Sequence, residues 1–285
     1  MKFDEFLEER KYLLGVSKKT VIYYRCAFNA WDKHKGDEKP VTWIKNMLES
    51  GIKPVSVNTY ICAMNAYWKW EGAGIKLKYI KEEQRILATL TSEQINRLLV
   101  CKSSDVLKGS NLRRAHLVAL TILDTGLRAS EVLGLTKENC DFDNLTIKVL
   151  GKGGKHRLVP FSFELRKSLY RYQQTSSVRT GKNGSGWIFG TKNNTKVSVR
   201  NLERDFQILG KKVGITGIRF SPHTLRHTFA VSYLRNGGNL EYLRRILGHS
   251  SLTTTQKYLK SLGVESIQEV HHLYSPLSQS RQTGR

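Results

Sequence analysis

The sequence predicts a mainly α-helical protein with a small antiparallel β-sheet, an α+β fold in two domains. Three observations carry that expectation. Apolar residues recur at helical spacing through about the first 85 residues; a short stretch of strict alternation with a glycine turn lies at 145–159; helical spacing resumes from about 198. A length of 285 residues suits two domains, and a composition of 39% hydrophobic and 9% aromatic residues can fill a core and excludes a disordered chain.

In the first domain, Phe3, Phe6, Leu7, Leu13 and Leu14 fall near helical spacing and Gly15 ends the run. Ser17 offers an N-cap for a second helix with Val21, Tyr24, Phe28 and Trp31 along one side. Gly36 and Pro40 interrupt, and Thr42 can cap a short third helix over Trp43, Ile44, Met47 and Leu48. After Gly51 and Pro54, a fourth helix starts near Ser56 and carries Tyr60, Ile61, Met64, Tyr67 and Trp68. The aromatics of these four helices are expected to form a core rather than platforms for base stacking. Residues 72–89 lack amphipathic order and read as a linker, so the first domain is 1–85 with a linker to about 89, and the second is 90–285 with a C-terminal tail.

Thr91 followed by Gln94 resembles a capping box that opens the second domain. Helices are expected at 92–100 and 112–125, the latter stopped by Gly126, and a short one at 129–133. The alternating LTIKVL (145–150), the GKGGK turn and the returning HRLV (156–159) predict an antiparallel hairpin. A helix at 162–175, a Gly/Ser-rich loop at 176–186 and a short strand at 187–189 follow. Breaks at Gly214 to Gly217, Gly237 to Gly238 and Gly248 divide the helices beyond 198.

Charge gives the first indication of function. The 47 Lys and Arg residues outnumber the 24 Asp and Glu, a formal net charge of +23. So lopsided a surface attracts polyanions, nucleic acid above all. The excess is not confined to a tail, because residues 1–90 carry a net +5 and residues 91–285 a net +18. The longest apolar run, around 117–123, is far below the ~18 residues that span a bilayer. Asp4, Glu5, Glu8 and Glu9 are the wrong chemistry for a secretory signal. A soluble, cytoplasmic protein without a membrane partner is expected. Cys26, Cys62, Cys101 and Cys140 form no CxxC pair, which supports neither a zinc ribbon nor a disulfide framework. Buried thiols in a reducing compartment are the simplest expectation.

Four clusters could carry chemistry, and each has a plainer reading. GKGGK lacks the spacing of a phosphate-binding P-loop and has His156 where Ser or Thr is needed; it is either a flexible turn or one that projects Lys152 towards an anion. His223 and His227, at i and i+4, could suit zinc, but Thr224 stands where a metalloprotease needs Glu and no third ligand is evident. Arg128 could simply pair with Glu131, and Tyr258 could be core. Together, the clusters assemble Arg, Lys, His and Tyr in a cationic domain without a carboxylate-rich metal site. Two guanidiniums can clamp a phosphodiester and stabilise charge in a pentacoordinate transition state. A Tyr can attack phosphorus, and Lys and His can move protons.

GLRASEVLGL, HTLRHTFA and LGHSSLTTTQKY, in that order, with 26 positions from His223 to His249 and nine from His249 to Tyr258, resemble the tyrosine recombinase (phage integrase) family and its short, Xer-like members. Residues 17–28 and 56–70 resemble the family's helical core-binding domain more weakly, and about 90–274 its catalytic domain. The resemblance implies that Tyr258 is the nucleophile that becomes linked to a DNA 3′-phosphate, and that Arg128 and Arg226 bind the scissile phosphate. Lys152 would protonate the departing 5′-oxygen, His223 would act in proton transfer with the tyrosine, and His249 would donate a hydrogen bond to the phosphate. Glu131 would support the site and His227 would be structural. Neither a metal nor another cofactor is implied.

The implied partner is double-stranded DNA, clamped by the two domains. Lys18, Lys19, Lys155, Arg157, Arg200 and Arg204 are candidate contacts to its backbone, each of which could equally be a solvated charge. Recombination implies a tetramer on two DNA sites, of this chain alone or with a related recombinase. The tail, with Val264, Ile267, Val270 and Leu273 at helical spacing, would dock on a neighbouring subunit or pack in its own domain. The role would be integration and excision of a mobile element, or Xer-like dimer resolution. Competing readings are a type IB topoisomerase-like DNA relaxing enzyme, a non-catalytic DNA-binding protein and a metal-dependent nuclease.

Overall fold

The structure, a computed structural model, describes residues 2–37, 39–81, 87–101, 109–151, 154, 156–175, 186–191, 193 and 195–262. It is mainly helical with one small antiparallel sheet, as the sequence predicts. The chain forms two compact units, Met1–Arg85 and Ile86–Arg285. No helix among the described residues is long and apolar enough to cross a membrane.

The first unit contains α1 (Phe3–Tyr12), α2 (Lys18–His34), α3 (Pro40–Glu49) and α4 (Pro54–Glu71). Ser17 caps α2 as expected, its hydroxyl accepting from the Thr20 N–H at 3.2 Å. The third and fourth helices begin earlier than Thr42 and Ser56, at Pro40 and Pro54. Proline lacks an N–H that the first helical position could not satisfy anyway, and its fixed φ already suits the helix. The core is aromatic: Trp31 meets Trp68 edge-on at 5.5 Å, and the buried Trp43 indole donates to the Ala30 carbonyl at 3.0 Å. Leu13 and Leu14 are not part of it. The helix stops at Tyr12, and Leu13 is 79% exposed.

Residues 73–81 are not the free linker that the sequence suggests. The Asn65 side chain donates to the Leu77 carbonyl at 2.9 Å and accepts from its N–H at 2.8 Å. Asn58 holds Ile80 in the same way, at 2.9 and 2.8 Å. The two asparagines lie two helical turns apart on α4, so an extended segment is zipped along it while Leu77 and Ile80 pack on the aromatic core. The cysteines also depart from expectation. All four are free thiols, but Cys26 and Cys62 are exposed, Cys101 is half-buried, and only Cys140 is buried.

The second unit opens with α5 (Ser92–Val100), held by the expected capping box between Thr91 and Gln94. Helix α6 (Ser110–Thr125) lies at the centre, packed against α8 (Phe163–Thr175), α9 (Val199–Lys212) and α10 (Pro222–Arg235). Strands β1 (Cys140–Asp141), β2 (Thr146–Leu150) and β3 (His156–Pro160) form the antiparallel sheet in that order, with Ile147 opposite both Cys140 and Val159. Ile147, Val149 and Val159 face the core. The two-residue β1 is too short to leave an alternation signal. The expected strand at 187–189 is a single bridge from Trp187 to Thr136. Short helices α7 (Ala129–Val132), α11 (Leu240–Leu247) and α12 (Leu252–Gln256) carry the site motifs. The loop at 176–185 and the tail's apolar spacing from Val264 to Leu273 lie outside the described residues.

Replacing Asn65 with Ala leaves both backbone groups of Leu77 without their partner. The first unit is expected to lose about 1–3 kcal/mol. Urea unfolding followed by tryptophan fluorescence reads it directly, because four of the five tryptophans belong to this unit.

Candidate active site

The site starts where α6 ends. Gly126 takes φ +65°, the left-handed conformation that closes a helix, and a Cβ there would run into the Phe229 ring and the Leu247 side chain. The chain then enters α7 with Arg128 just ahead of it. The Arg128 N–H donates to Glu131 Oε2 at 2.8 Å and its guanidinium to Oε1 at 3.1 Å. From β3, Arg157 grips the same carboxylate with two bonds of 3.0 and 2.9 Å. Burial pushes the Glu131 carboxyl up, but the bonds from Arg157 and the Arg128 N–H, with both guanidinium charges, hold it below the usual range. A charged Glu131 thus fixes Arg128, which remains 42% exposed with donors to spare.

Arg226 approaches from α10, whose start is set by Pro222 and by Ser221, the hydroxyl of which accepts from the Thr224 N–H at 3.2 Å. Only 5% exposed, Arg226 donates to the Gly126 carbonyl, to the Leu247 carbonyl at 2.8 Å and to His249 Nε2 at 3.1 Å. Burial, and then the charge of Arg128, lower its pKa to about 10, which leaves it cationic at neutral pH.

His249 follows the left-handed Gly248 at the end of α11. Arginine can only donate, so His249 Nε2 accepts and the neutral ring carries its proton on Nδ1, where it donates to Thr255 Oγ1 at 2.9 Å. Burial, then the charges of Arg226 and Arg128, push this imidazole down to about 4. Thr255 lies in α12, and the turn beyond it delivers Tyr258.

Tyr258 is 1% exposed. Its ring lies nearly parallel to His249, with centroids 6.3 Å apart and 9° between planes, and 5.7 Å from the ring of His227. Burial raises its hydroxyl pKa, while the charge of Arg226, a hydrogen bond from that side chain and the charge of Arg128 pull the other way. The DNA-free tyrosine is therefore a protonated, buried hydroxyl beside two guanidiniums.

Of the residues singled out from the sequence, Arg128, Arg226, His249 and Tyr258 come together, with Glu131 behind Arg128. His223 is exposed on the first turn of α10, and its charge reaches His227. Lys152 and Lys155 fall outside the described residues. Lys18, Lys19, Arg200 and Arg204 are exposed at the surface. Arg157 requires a correction. Expected to be either a DNA-backbone contact or a solvated charge, it is a half-buried partner of Glu131, and its Nε donates to the Ile246 carbonyl at 3.0 Å, so it is not a free solvated cation. Sequence spacing could not reveal this, because the partner carboxylate lies 26 positions away. His227, expected to be structural, is a wall of the tyrosine pocket. Its buried Nδ1 has no hydrogen-bond partner among the described residues, and burial, then the charges of Lys257, His223 and Arg226, push it to about 4.

A buried tyrosine among guanidiniums and neutral imidazoles, on a helical scaffold with one small sheet, defines a phosphodiester strand-transfer enzyme, and comparison with known proteins agrees. The chain belongs to the phage integrase family, which matches residues 88–263. It is a tyrosine recombinase, one of the enzymes of site-specific recombination that cleave and rejoin DNA through a tyrosine intermediate.

Among curated relatives, it is 31% identical over 258 residues to tyrosine recombinase XerA of Pyrococcus horikoshii, covering 87% of this chain and 85% of the relative. It is 30% identical over 287 residues to tyrosine recombinase XerD of Lacticaseibacillus casei, covering 92% and 94%. Among solved structures, it aligns with a XerA recombinase at 27% identity and a TM-score of 0.56, covering 96% and 98%. The Tn1549 transposon integrase in complex with transposon right end DNA gives a TM-score of 0.75 at 19% identity, covering 96% and 100%, a likeness of fold.

The two depressed imidazoles set a pH dependence. His227 and His249 titrate near 6.5 in the unfolded chain and near 4 in the folded one, so within that window the unfolded state holds more protons. Stability is full above about 6.5 and falls as pH drops towards 4. The urea midpoint should decline across this range, and less steeply in His227→Phe, which keeps a ring against Tyr258 but cannot take up a proton.

Proposed function

We propose that Tyr258 attacks the scissile phosphodiester, forming a 3′-phosphotyrosyl bond as the P–O bond to the 5′-oxygen breaks. The observation that carries the reading is the convergence of Tyr258, Arg226, Arg128 and His249 on one locus from segments far apart in the chain. Arg128 and Arg226 hold the non-bridging oxygens and stabilise the charge that grows on them. His223 takes part in moving the tyrosine proton, and Lys152 gives a proton to the departing oxygen. The support for Lys152 is its position in the sequence between β2 and β3 and the resemblance of the motif. Because the new bond is again a phosphodiester, a 5′-hydroxyl from a second duplex can reverse the step without ATP.

His249 Nε2 accepts from Arg226 in the DNA-free site. To donate to a phosphate it must carry a proton on Nε2, either as the other neutral tautomer, with the Thr255 hydroxyl donating to Nδ1, or as the imidazolium that a bound phosphodiester anion favours. Met1–Arg85 is read as the core-binding unit and Ile86–Arg285 as the catalytic unit of a DNA clamp, with Lys18, Lys19, Lys155, Arg200 and Arg204 contacting backbone phosphates. Four protomers on two DNA sites, joined through the tail, would complete a recombinase of Xer type or one serving a small mobile element.

On a suicide substrate quenched in SDS, the wild-type protein should form a covalent protein–DNA adduct in the presence of EDTA. Tyr258→Phe should bind the same DNA and form none; an adduct that survives the substitution overturns the assignment. Arg128→Ala, at a half-exposed position, should slow adduct formation by about 10²–10³-fold with little loss of stability.

A further inference from the structure

Lys257 immediately precedes Tyr258 and has no part in the chemistry described so far. Its ammonium lies 5.2 Å from the centroid of the Tyr258 ring. Its neighbours show where that charge stands. At His227 it is the largest influence after burial, and it also acts on His249, so it is felt by both imidazoles that flank the nucleophile. Partial burial, and then the charge of Arg226, hold the lysine itself below its ordinary pKa. The residue is nonetheless exposed, so the ammonium marks the solvent side of the tyrosine pocket.

Arg226 and Arg128 thus act on the buried Tyr258 hydroxyl, while Lys257 stands over the ring of the same residue and feels the charge of Arg226. Glu131, the carboxylate nearest them in these interactions, is already engaged by Arg157 and Arg128. Like charges brought this close raise the energy of the empty site, and an anion set among them removes that penalty. The lysine also differs from the arginines in its attachment. Because it is the residue next to the nucleophile, it arrives at the phosphate together with the hydroxyl that attacks.

We propose that Lys257 is a phosphate-binding cation carried on the nucleophile's own segment, its ammonium contacting a non-bridging oxygen of the scissile phosphodiester as Tyr258 attacks. The inference rests on Tyr258 being the nucleophile. It extends the chemistry to a residue whose other explanation is simple packing of an alkyl chain on an aromatic ring.

Two variants separate charge from packing. Lys257→Met keeps an unbranched side chain that can cover the ring, and Lys257→Arg keeps the charge. The experiment is single-turnover adduct formation on a nicked suicide duplex at saturating protein, with the salt dependence of binding to the same duplex measured alongside. Lys257→Met should form adduct about tenfold or more slowly, and Lys257→Arg should stay within about threefold of wild type. The salt slope of binding should fall by about 1 in Lys257→Met.

An adduct rate for Lys257→Met within about twofold of wild type overturns the proposal, on the same scale of donor effects. So does an arginine variant as slow as the methionine one, since shape rather than charge would then matter. Unchanged urea midpoints show that both variants fold. Failure of the wild type to form an adduct, or an adduct from Tyr258→Phe, would instead remove the nucleophile assignment and is distinguishable from either result.

Discussion

A guanidinium withdrawn from water has to recover its lost hydration within the protein, and the site is organised around how Arg226 does so. Its partners are the carbonyls of Gly126 and Leu247 and the imidazole of His249. Gly126 ends α6 and Leu247 ends α11, so both carbonyls belong to helix C-termini, where the last C=O groups lack partners and the dipole is negative. One cation therefore ties the ends of two helices to a third. The same bonds fix the acceptor face of His249 and, through Thr255, the short helix that leads to Tyr258.

The end of α11 shows how completely this arrangement is used. Of its last four carbonyls, that of Arg244 accepts from the His249 N–H at 3.1 Å and that of Arg245 from the Gly248 N–H at 3.1 Å. Arg157 takes the carbonyl of Ile246 and Arg226 that of Leu247. Each residue of the LGH motif thus has a stereochemical reason. Leu247 supplies a carbonyl to Arg226 and a side chain to the core. Gly248 adopts φ +65°, and a Cβ on it would stand 2.8 Å from the Arg157 guanidinium carbon. His249 accepts from Arg226 through Nε2. TGLR obeys the same logic: Gly126 turns the chain where Phe229 and Leu247 leave no room for a side chain, Leu127 is buried, and Arg128 emerges towards solvent.

These local rules explain what could be read in the sequence. Capping chemistry at Ser17 and Thr91, the Gly126 stop and the alternating hairpin are decided by neighbours a few residues apart, and they were legible. So was the core role of Trp31, Trp43 and Trp68. The misreadings share a cause. Asn58 and Asn65 look like ordinary polar helix positions until residues 77–80 return to them. The side of α2 and α4 on which Cys26 and Cys62 sit depends on what packs there. Arg157 looks like any surface cation until Glu131 arrives from another element. The motifs carried the four converging site residues because family resemblance encodes tertiary proximity that spacing alone does not. Lys257 lies inside the LGHSSLTTTQKY motif without a role attached to it, and its place over the tyrosine ring appears only once the pocket is assembled.

The assembled pocket is a poor environment for its own charges. Burial lowers the pKa of Arg226, Lys257 and His249, with Arg128 adding to it at Arg226 and Arg226 adding to it at the other two, and burial raises that of Tyr258. Each of these shifts opposes what the proposed strand transfer requires, cations that stay charged and a tyrosine able to lose its proton. A single phosphodiester anion offsets the first by favouring positive charge around it. Once the phosphorus is close, the tyrosine oxygen can pass its developing charge into the new bond instead of bearing it alone. Burial and charge repulsion in the empty site together are then what an incoming anion relieves.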